Sequence, residues 1–115
     1  MYTKEDVTKQ VLAFNEDVEE RGGLGIPTHM IDGLASYIAE GREPGGFLAS
    51  IFKNDLCGAV SSADETNIGR LRSYVRFLQY HAPPACYSSE RRYYMWLDHR
   101  GFLGKSDDPV DTDQE

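Results

Sequence analysis

The chain has 115 residues, a size that fits one domain able to bury roughly two thirds of its unfolded surface in a single core. Its net charge is −7, and the last dozen residues carry −4 of that, so the rest of the chain is only mildly acidic. This balance argues against a protein that holds duplex DNA through a broad basic face, because phosphate neutralisation supplies most of that affinity. No apolar run approaches the ~20 residues that cross a bilayer, and the N-terminus lacks the apolar stretch of a secretory signal, so we expect a cytoplasmic protein.

The first predicted helix spans residues 3–21 and carries one narrow apolar stripe. Thr3 can cap its start, with Asp6 as the partner residue of a capping box. The stripe repeats at i, i+4, i+7 and i+11 and consists of Val7, Val11, Phe14 and Val18. Since the opposite face is almost wholly charged, the helix either packs on its own domain or serves as a contact arm to a neighbouring subunit. Glycines then predict a hinge or tight loop, which divides the chain into residues 1–24 and a core domain of residues 25–103.

The second predicted helix has Pro27 in its first turn and ends at Gly41, which suits a left-handed cap. Its apolar face consists of Ile31, Leu34, Ala35 and Ile38. His29 near the start and Tyr37 beside the stripe have two interpretations. They either reach a ligand or are a surface histidine and a tyrosine at the boundary of the core, and the pattern by itself favours the second.

The third predicted helix, residues 45–62, is the centre of the chain because its start is chemically unusual. A helix that opens on glycine, here Gly45 and Gly46, presents unpaired N–H groups without side chains in the way, a geometry that receives phosphate or carboxylate. The alternative is a tight inter-helix turn in which small residues let backbones approach. Asn54 and Asp55 interrupt the apolar run, so we expect at least one polar group near the core, where it needs a partner.

The fourth predicted helix begins after a cap at Asp64 or Thr66. Its core stripe is expected to consist of Ile68, Leu71, Val75 and Leu78, widened by Tyr74 and Phe77. Arg72 and Arg76 share one face of this helix at i, i+4, where like charges repel unless an anion or an acid lies between them. Ordinary solvated arginines are the other interpretation.

Two prolines end that helix, and a fifth helix follows over residues 90–100 with Ser88 or Ser89 as its cap. Trp96 is expected to cover the core. Residues 104–115 are acidic and poor in apolar side chains, so they should be disordered. No segment alternates over six residues as a strand would. The predicted fold class is therefore all-α, a compact bundle of about five helices with a disordered acidic C-terminal tail.

The polar residues give no catalytic or metal-binding signature. Ser88 and Cys86 lack the motif that surrounds a nucleophile paired with histidine. Both cysteines are expected to be reduced and mostly buried. None of the standard zinc-ligand spacings occurs among the available ligands, which are His81, Cys86, His99 and Cys57. We therefore predict no metal, no cofactor and no enzyme activity.

Short motifs along residues 26–101 carry a resemblance to known proteins. They are Pro44-Gly45-Gly46-Phe47-Leu48, Asn54-Asp55-Leu56, Ala63-Asp64, Ala82-Pro83, Cys86 and Trp96. In these motifs the chain resembles a group of small bacteriophage- and prophage-encoded proteins of uncharacterised activity. The resemblance implies a phage origin and a small size more than an activity, and small phage proteins of this kind are often accessory proteins that act against host defence. Such proteins bind a defence protein or sequester the cyclic or ADP-ribose-type nucleotide that a defence system uses as its signal.

The resemblance and the glycine start together predict a homo-oligomeric nucleotide-binding module of the host cytoplasm, which sequesters an immune signal in a pocket. Gly45, Gly46 and Arg42 would receive phosphate, and Phe47 or a tyrosine would stack on the base. The predicted ligand-binding residues are Arg42, Gly45, Gly46, Phe47, Asn54, Arg70 and Tyr74. The alternative is a protein-interaction module that inhibits or redirects a host protein through its first helix or its acidic surface. No membrane and no duplex nucleic acid are expected among the partners.

Overall fold

Seven α-helices build residues 2–104, the part of the chain that the computed structural model describes, and no strand occurs among these residues. The helices are α1 (Lys4–Glu20), α2 (Thr28–Glu40), α3 (Gly46–Phe52), α4 (Leu56–Ser62), α5 (Glu65–Ile68), α6 (Leu71–His81) and α7 (Glu90–His99), with 3₁₀ turns at Pro84–Cys86 and Gly101–Leu103. The predicted all-α class and compactness are confirmed. The expected count of about five helices is wrong, and the predicted disordered tail lies outside the described residues except for Gly104.

Helix α1 packs within its own chain, against α2. Its capping box is present, with the Thr3 N–H donating to Asp6 Oδ2 at 2.9 Å and the Asp6 N–H donating to Thr3 Oγ1 at 3.2 Å. Val7 and Val11 are fully buried in the same core as the second helix, so the stripe faces inward as an amphipathic helix requires. The division of the chain near residue 25 stays a prediction.

The predicted third helix is not continuous, which accounts for part of the error in the count. Asn54 has a φ of 64°, in the left-handed region that asparagine tolerates better than most residues, and it separates α3 from α4. Asp55 then caps α4, since its side chain accepts from the Gly58 N–H at 3.0 Å. Both residues are exposed, so the expectation of a polar group held near the core is wrong. Cys57, expected to be mostly buried, is exposed in the first turn of α4.

Asp64, one of the two predicted caps, caps α5, and α6 buries only part of the face that the spacing indicated. Ile68 and Val75 are 40% and 41% exposed, whereas Tyr74, Phe77 and Leu78 are buried. The fourth predicted helix is interrupted at Gly69 and Arg70, which lie between α5 and α6. This interruption rotates Ile68 out of the stripe that a straight helix would have formed.

Tyr37 lies at the centre of the core, so its assignment to the core boundary is wrong. The side chain is fully buried, and its ring stacks on Tyr93 at a centroid distance of 5.4 Å and meets Phe52 at 4.0 Å in a tilted arrangement. Its hydroxyl donates to the Cys86 carbonyl at 2.6 Å. Trp96 covers this centre as expected, with Nε1 donating to the Tyr37 and Ile38 carbonyls at 2.9 and 3.1 Å, where α2 ends.

The C-terminal ends of α2 and α7 meet through two glycines. Gly41 caps α2 in the left-handed conformation, as predicted, and Gly101 follows the cap of α7 with a φ of 71°. A Cβ on Gly41 would lie 2.5 Å from the Gly101 nitrogen, and one on Gly101 would lie 2.5 Å from the Gly41 nitrogen. The two backbones therefore touch, and neither position has room for a side chain.

Candidate functional site

Two of the seven predicted ligand-binding residues meet in the core. The Phe47 and Tyr74 rings pack edge to face at 5.2 Å, and both side chains are buried. The Tyr74 hydroxyl donates to Asn67 Oδ1 at 2.6 Å, and burial raises its pKa. This pair holds α3 against α6 and leaves no ring face open for a base.

The other predicted residues lie at or near the surface. Arg42 is paired with Glu40 at 2.8 Å, and Asn54 occupies the turn after α3. The Arg70 Nη1 donates to the Gly25 carbonyl at 3.1 Å. Gly45 and Gly46 are exposed at the start of α3, and a Cβ added to Gly45 would have no neighbouring atom within 4 Å. The anion role of these glycines stays a prediction, and none of the seven residues lines either cavity described below.

The larger cavity is a groove of about 1050 Å³ between the C-terminal half of α1 and the exposed face of α6. We call it the α1/α6 groove. Its lining includes Phe14, Val18, Leu24, Arg72, Arg76 and Tyr80. Small-molecule sites are commonly lined by apolar side chains with a few polar or charged groups, and this lining has that composition.

Asn15, which the sequence analysis did not single out, positions the loop that closes one end of this groove. Its buried side chain donates from Nδ2 to the Ile26 carbonyl at 2.8 Å and accepts from the Ile26 N–H at 2.7 Å. Two residues at the start of α6 bind the same loop. The Ser73 hydroxyl donates to the Leu24 carbonyl at 2.5 Å, and Arg70, just before the helix, donates to the Gly25 carbonyl. The loop is thus tied to both walls, which fixes the spacing of α1 and α6.

The groove is cationic although the protein is acidic. Arg21, Arg72 and Arg76 line it, against one acid, Asp17. Asp17 is paired with Arg21 at 3.4 Å. Among residues 2–104, no carboxylate lies within ion-pair distance of Arg72 or Arg76, which are one helical turn apart. Neither guanidinium group is therefore neutralised by a carboxylate of the described residues.

Tyr80 gives the groove an exposed aromatic ring. The ring is 62% exposed, and the Arg76 guanidinium carbon lies 5.1 Å from its centroid while Nη2 donates to its hydroxyl at 2.7 Å. Phe14 forms the floor, with its ring 5.5 Å from Phe77 and 6.0 Å from His81. The contact with Tyr80 holds the Arg76 side chain along the wall of the groove.

A second, smaller cavity of about 250 Å³ adjoins the groove and shares Tyr80 and His81 with it. Tyr2, Gln10 and Phe102 also line it. The Tyr2 hydroxyl and Gln10 Oε1 are buried there without a hydrogen-bond partner among residues 2–104. Burial raises the pKa of the Tyr2 hydroxyl, which keeps it protonated and a donor.

The two cysteines and the histidines do not assemble into a site. Cys86 is fully buried beneath Tyr37, and burial raises the pKa of its thiol, which makes it unreactive. No group of three or more potential metal-binding side chains occurs within residues 2–104. The helices of this part of the chain are also too short or too polar to cross a membrane.

In comparisons with protein-family models, with curated proteins and with solved structures, no match to this chain is significant.

Proposed function

We propose that the protein is a binding module that captures a small phosphate-bearing ligand of the nucleotide type in the α1/α6 groove and holds it without chemical change. The observation that carries the proposal is the pair Arg72 and Arg76. They line the groove one turn apart and without a carboxylate partner among the described residues, in a chain of net charge −7. Planar guanidinium groups at this spacing suit a diphosphate, because each can donate two hydrogen bonds to one phosphate.

Base recognition in this proposal falls to the aromatic side of the groove. Tyr80 offers a stacking surface beside the arginines, and the apolar floor around Phe14 and Val18 accepts the edge of the ring. The ligand is then the nucleotide-type signal of a host defence system, as the resemblance to small phage proteins implies. The role is sequestration, which requires affinity and no chemistry.

An oligomer would complete such a site, because the rim of the groove is apolar and exposed. Leu24 and Tyr80, which both line the groove, are 56% and 62% exposed. A second copy seated on this rim would enclose the ligand and bury these side chains. Light scattering with and without ligand measures the assembly that the proposal includes.

Calorimetry tests the proposal directly. The panel is cyclic mononucleotides, cyclic dinucleotides and cyclic ADP-ribose isomers, with inorganic tripolyphosphate as a base-free probe. The R72Q/R76Q double variant should bind the selected nucleotide about 100-fold more weakly, because hydrogen bonds to charged groups contribute about 1.5–3 kcal/mol each. R42Q/K9Q is the matched control, since it removes the same charge from positions outside the groove.

Two outcomes contradict this assignment. If no member of the panel binds more tightly than millimolar, nucleotide capture is wrong. If R42Q/K9Q loses affinity and R72Q/R76Q does not, the ligand binds at Arg42 and the start of α3 instead. The second result would restore the site that the sequence analysis predicted.

A second candidate, a module that binds and inhibits a host protein, is favoured by the exposed face of α4. Leu56 and Val60 lie one turn apart on that helix and are 66% and 48% exposed. A pair of exposed apolar residues at this spacing is typical of helix contacts between proteins. The test is recovery of one defined host protein by the wild type and its loss with L56S/V60S, while R72Q/R76Q retains it. Deleting residues 1–24 would not test binding through the first helix, because the deletion removes Val7 and Val11 from the core.

A further inference from the structure

The C-terminal segment that follows the described fold has the charge opposite to that of the groove. Residues 105–115 contain one lysine, Lys105, and five acids, which are Asp107, Asp108, Asp111, Asp113 and Glu115. We infer that this segment, the acidic tail, docks in the α1/α6 groove of its own chain and competes there with the ligand.

The place where the tail starts brings it to the groove. Phe102 lines the small cavity together with Tyr80 and His81, and these two residues also line the α1/α6 groove. The chain therefore leaves the described fold beside the C-terminal end of α6. Arg72 lies about 14 Å back along the helix axis from His81, and five extended residues span about 17 Å. Residues 107–111 can thus lie along Arg76 and Arg72.

The negative charge of the tail is complementary to the arginines of the groove. Arg72 and Arg76 have no carboxylate partner among residues 2–104, and four of the five tail acids lie within residues 107–113. Single exposed ion pairs are weak, but a tether of this length holds the tail at an effective concentration of order millimolar. Several weak pairs at that concentration populate the docked state at low ionic strength and lose it at high ionic strength.

Docking has a consequence for binding, and this consequence rests on the proposed function. A ligand that needs Arg72 and Arg76 must displace the tail, so the tail lowers the apparent affinity by the fraction of time that it is docked. Weakly binding anions would not displace the tail, and only a ligand that contacts both arginines and the aromatic side of the groove would bind. Docking itself can be measured without any nucleotide.

The first experiment measures docking by paramagnetic relaxation in the full chain. A nitroxide is attached at E115C in a C57S background, and amide signals are compared with the reduced label. We expect broadening at Arg72, Ser73 and Arg76, and its loss in 0.5 M salt and in the tail variant D107N/D108N/D111N/D113N. Broadening that is absent, or that is unchanged in the tail variant, overturns docking. If a labelled molecule broadens the signals of an unlabelled molecule in a mixed sample, docking within one chain is wrong.

The second experiment measures competition with tripolyphosphate as the probe. The full-length variant in which all five tail acids are amides should bind it at least about fivefold more tightly than the wild type. The matched control changes the same number of charges at exposed positions outside the groove, with the substitutions E5Q, E43Q, E65Q, E90Q and D98N. It should shift affinity by less than about twofold.

The two experiments separate the failure of docking from the failure of nucleotide capture. Equal tightening in the tail variant and the matched control overturns competition and leaves groove binding intact. Broadening at α6 together with no tripolyphosphate or nucleotide binding in any variant supports docking and overturns the proposed function.

Discussion

Asn15 and Ile26 hold each other through two hydrogen bonds, with the amide side chain of one paired to the backbone N–H and C=O of the other. Ile26 is buried, so its backbone groups have no water to replace this partner. A side chain thus completes a pairing that strands usually make, in a protein whose described residues contain no strand. These two hydrogen bonds fix the position of the loop at one end of the α1/α6 groove.

Asn15→Ala should destabilise the protein by about 2–4 kcal/mol, because it leaves a buried donor and a buried acceptor unpaired. Denaturant unfolding followed by circular dichroism measures the change. Glu16→Ala, at the neighbouring exposed position of α1, is the control and should stay within about 0.5 kcal/mol of the wild type. Equal stability of the two variants would mean that solvent reaches the Ile26 backbone.

Gly41→Ala and Gly101→Ala should each cost at least about 2 kcal/mol, since a methyl group meets facing backbone at a position with positive φ. Gly46→Ala is the matched control, because the nearest atom to its added methyl group is Ser62 Oγ at 3.9 Å. That variant should be neutral or up to about 1 kcal/mol more stable. Thermal unfolding distinguishes the two groups, and a stable Gly41→Ala would show that the ends of α2 and α7 separate.

Tyr2→Phe and Tyr37→Phe should change stability in opposite directions. The Tyr37 hydroxyl donates to the buried Cys86 carbonyl, so its removal should cost about 1–3 kcal/mol. The Tyr2 hydroxyl is buried without a partner among the described residues, and its removal should be neutral or raise stability by up to about 1 kcal/mol. Denaturant midpoints measure both. A loss of stability in Tyr2→Phe would reveal a partner for this hydroxyl, such as a bound water.

Cys57 and Cys86 should differ in reactivity toward a thiol reagent. The native protein should react rapidly at one thiol per chain, Cys57, and the second should react only in denaturant, because burial excludes the reagent from Cys86 and raises its thiol pKa. Cys57→Ser should abolish the rapid phase. Two rapid thiols in the native protein would mean that the core around Tyr37 opens.

The Asp6 capping box should make stability depend on pH in the acid range. The hydrogen bonds from the Thr3 backbone and then from its side chain lower the pKa of Asp6. The folded state therefore binds fewer protons than the unfolded state, and the stabilisation is present above the unfolded pKa of about 3.9 and is lost as pH falls through the native pKa. Asp6→Asn should flatten the fall in the denaturant midpoint below about pH 4.5 relative to the wild type. Parallel curves for the two proteins would contradict this account.

The helix ends could be predicted from the sequence, because capping is a contact between residues a few positions apart. Thr3 with Asp6, Asp64 before α5, Ser89 before α7 and the left-handed Gly41 all lie where local chemistry indicated. The signal for the break in the third predicted helix was also present, since an asparagine followed by an aspartate suits a left-handed residue and a new cap. The same Asn54-Asp55 pair also fits a polar interruption within one helix, which is the structure that the sequence analysis predicts.

Helix caps and 3.6-residue periodicity are local properties, so the all-helical class of the described residues follows from the order of the amino acids. Which side of each helix is buried depends on how the helices pack. Tyr74 and Phe77 had the same apolar character as Ile68 and Val75, and only the packing of α3 and α1 made the first pair core and the second pair surface. That choice of face also left Arg72, Arg76 and Tyr80 beside the end of α1, where a groove exists because two distant segments meet there. Residue spacing along one helix carries no information on such a meeting.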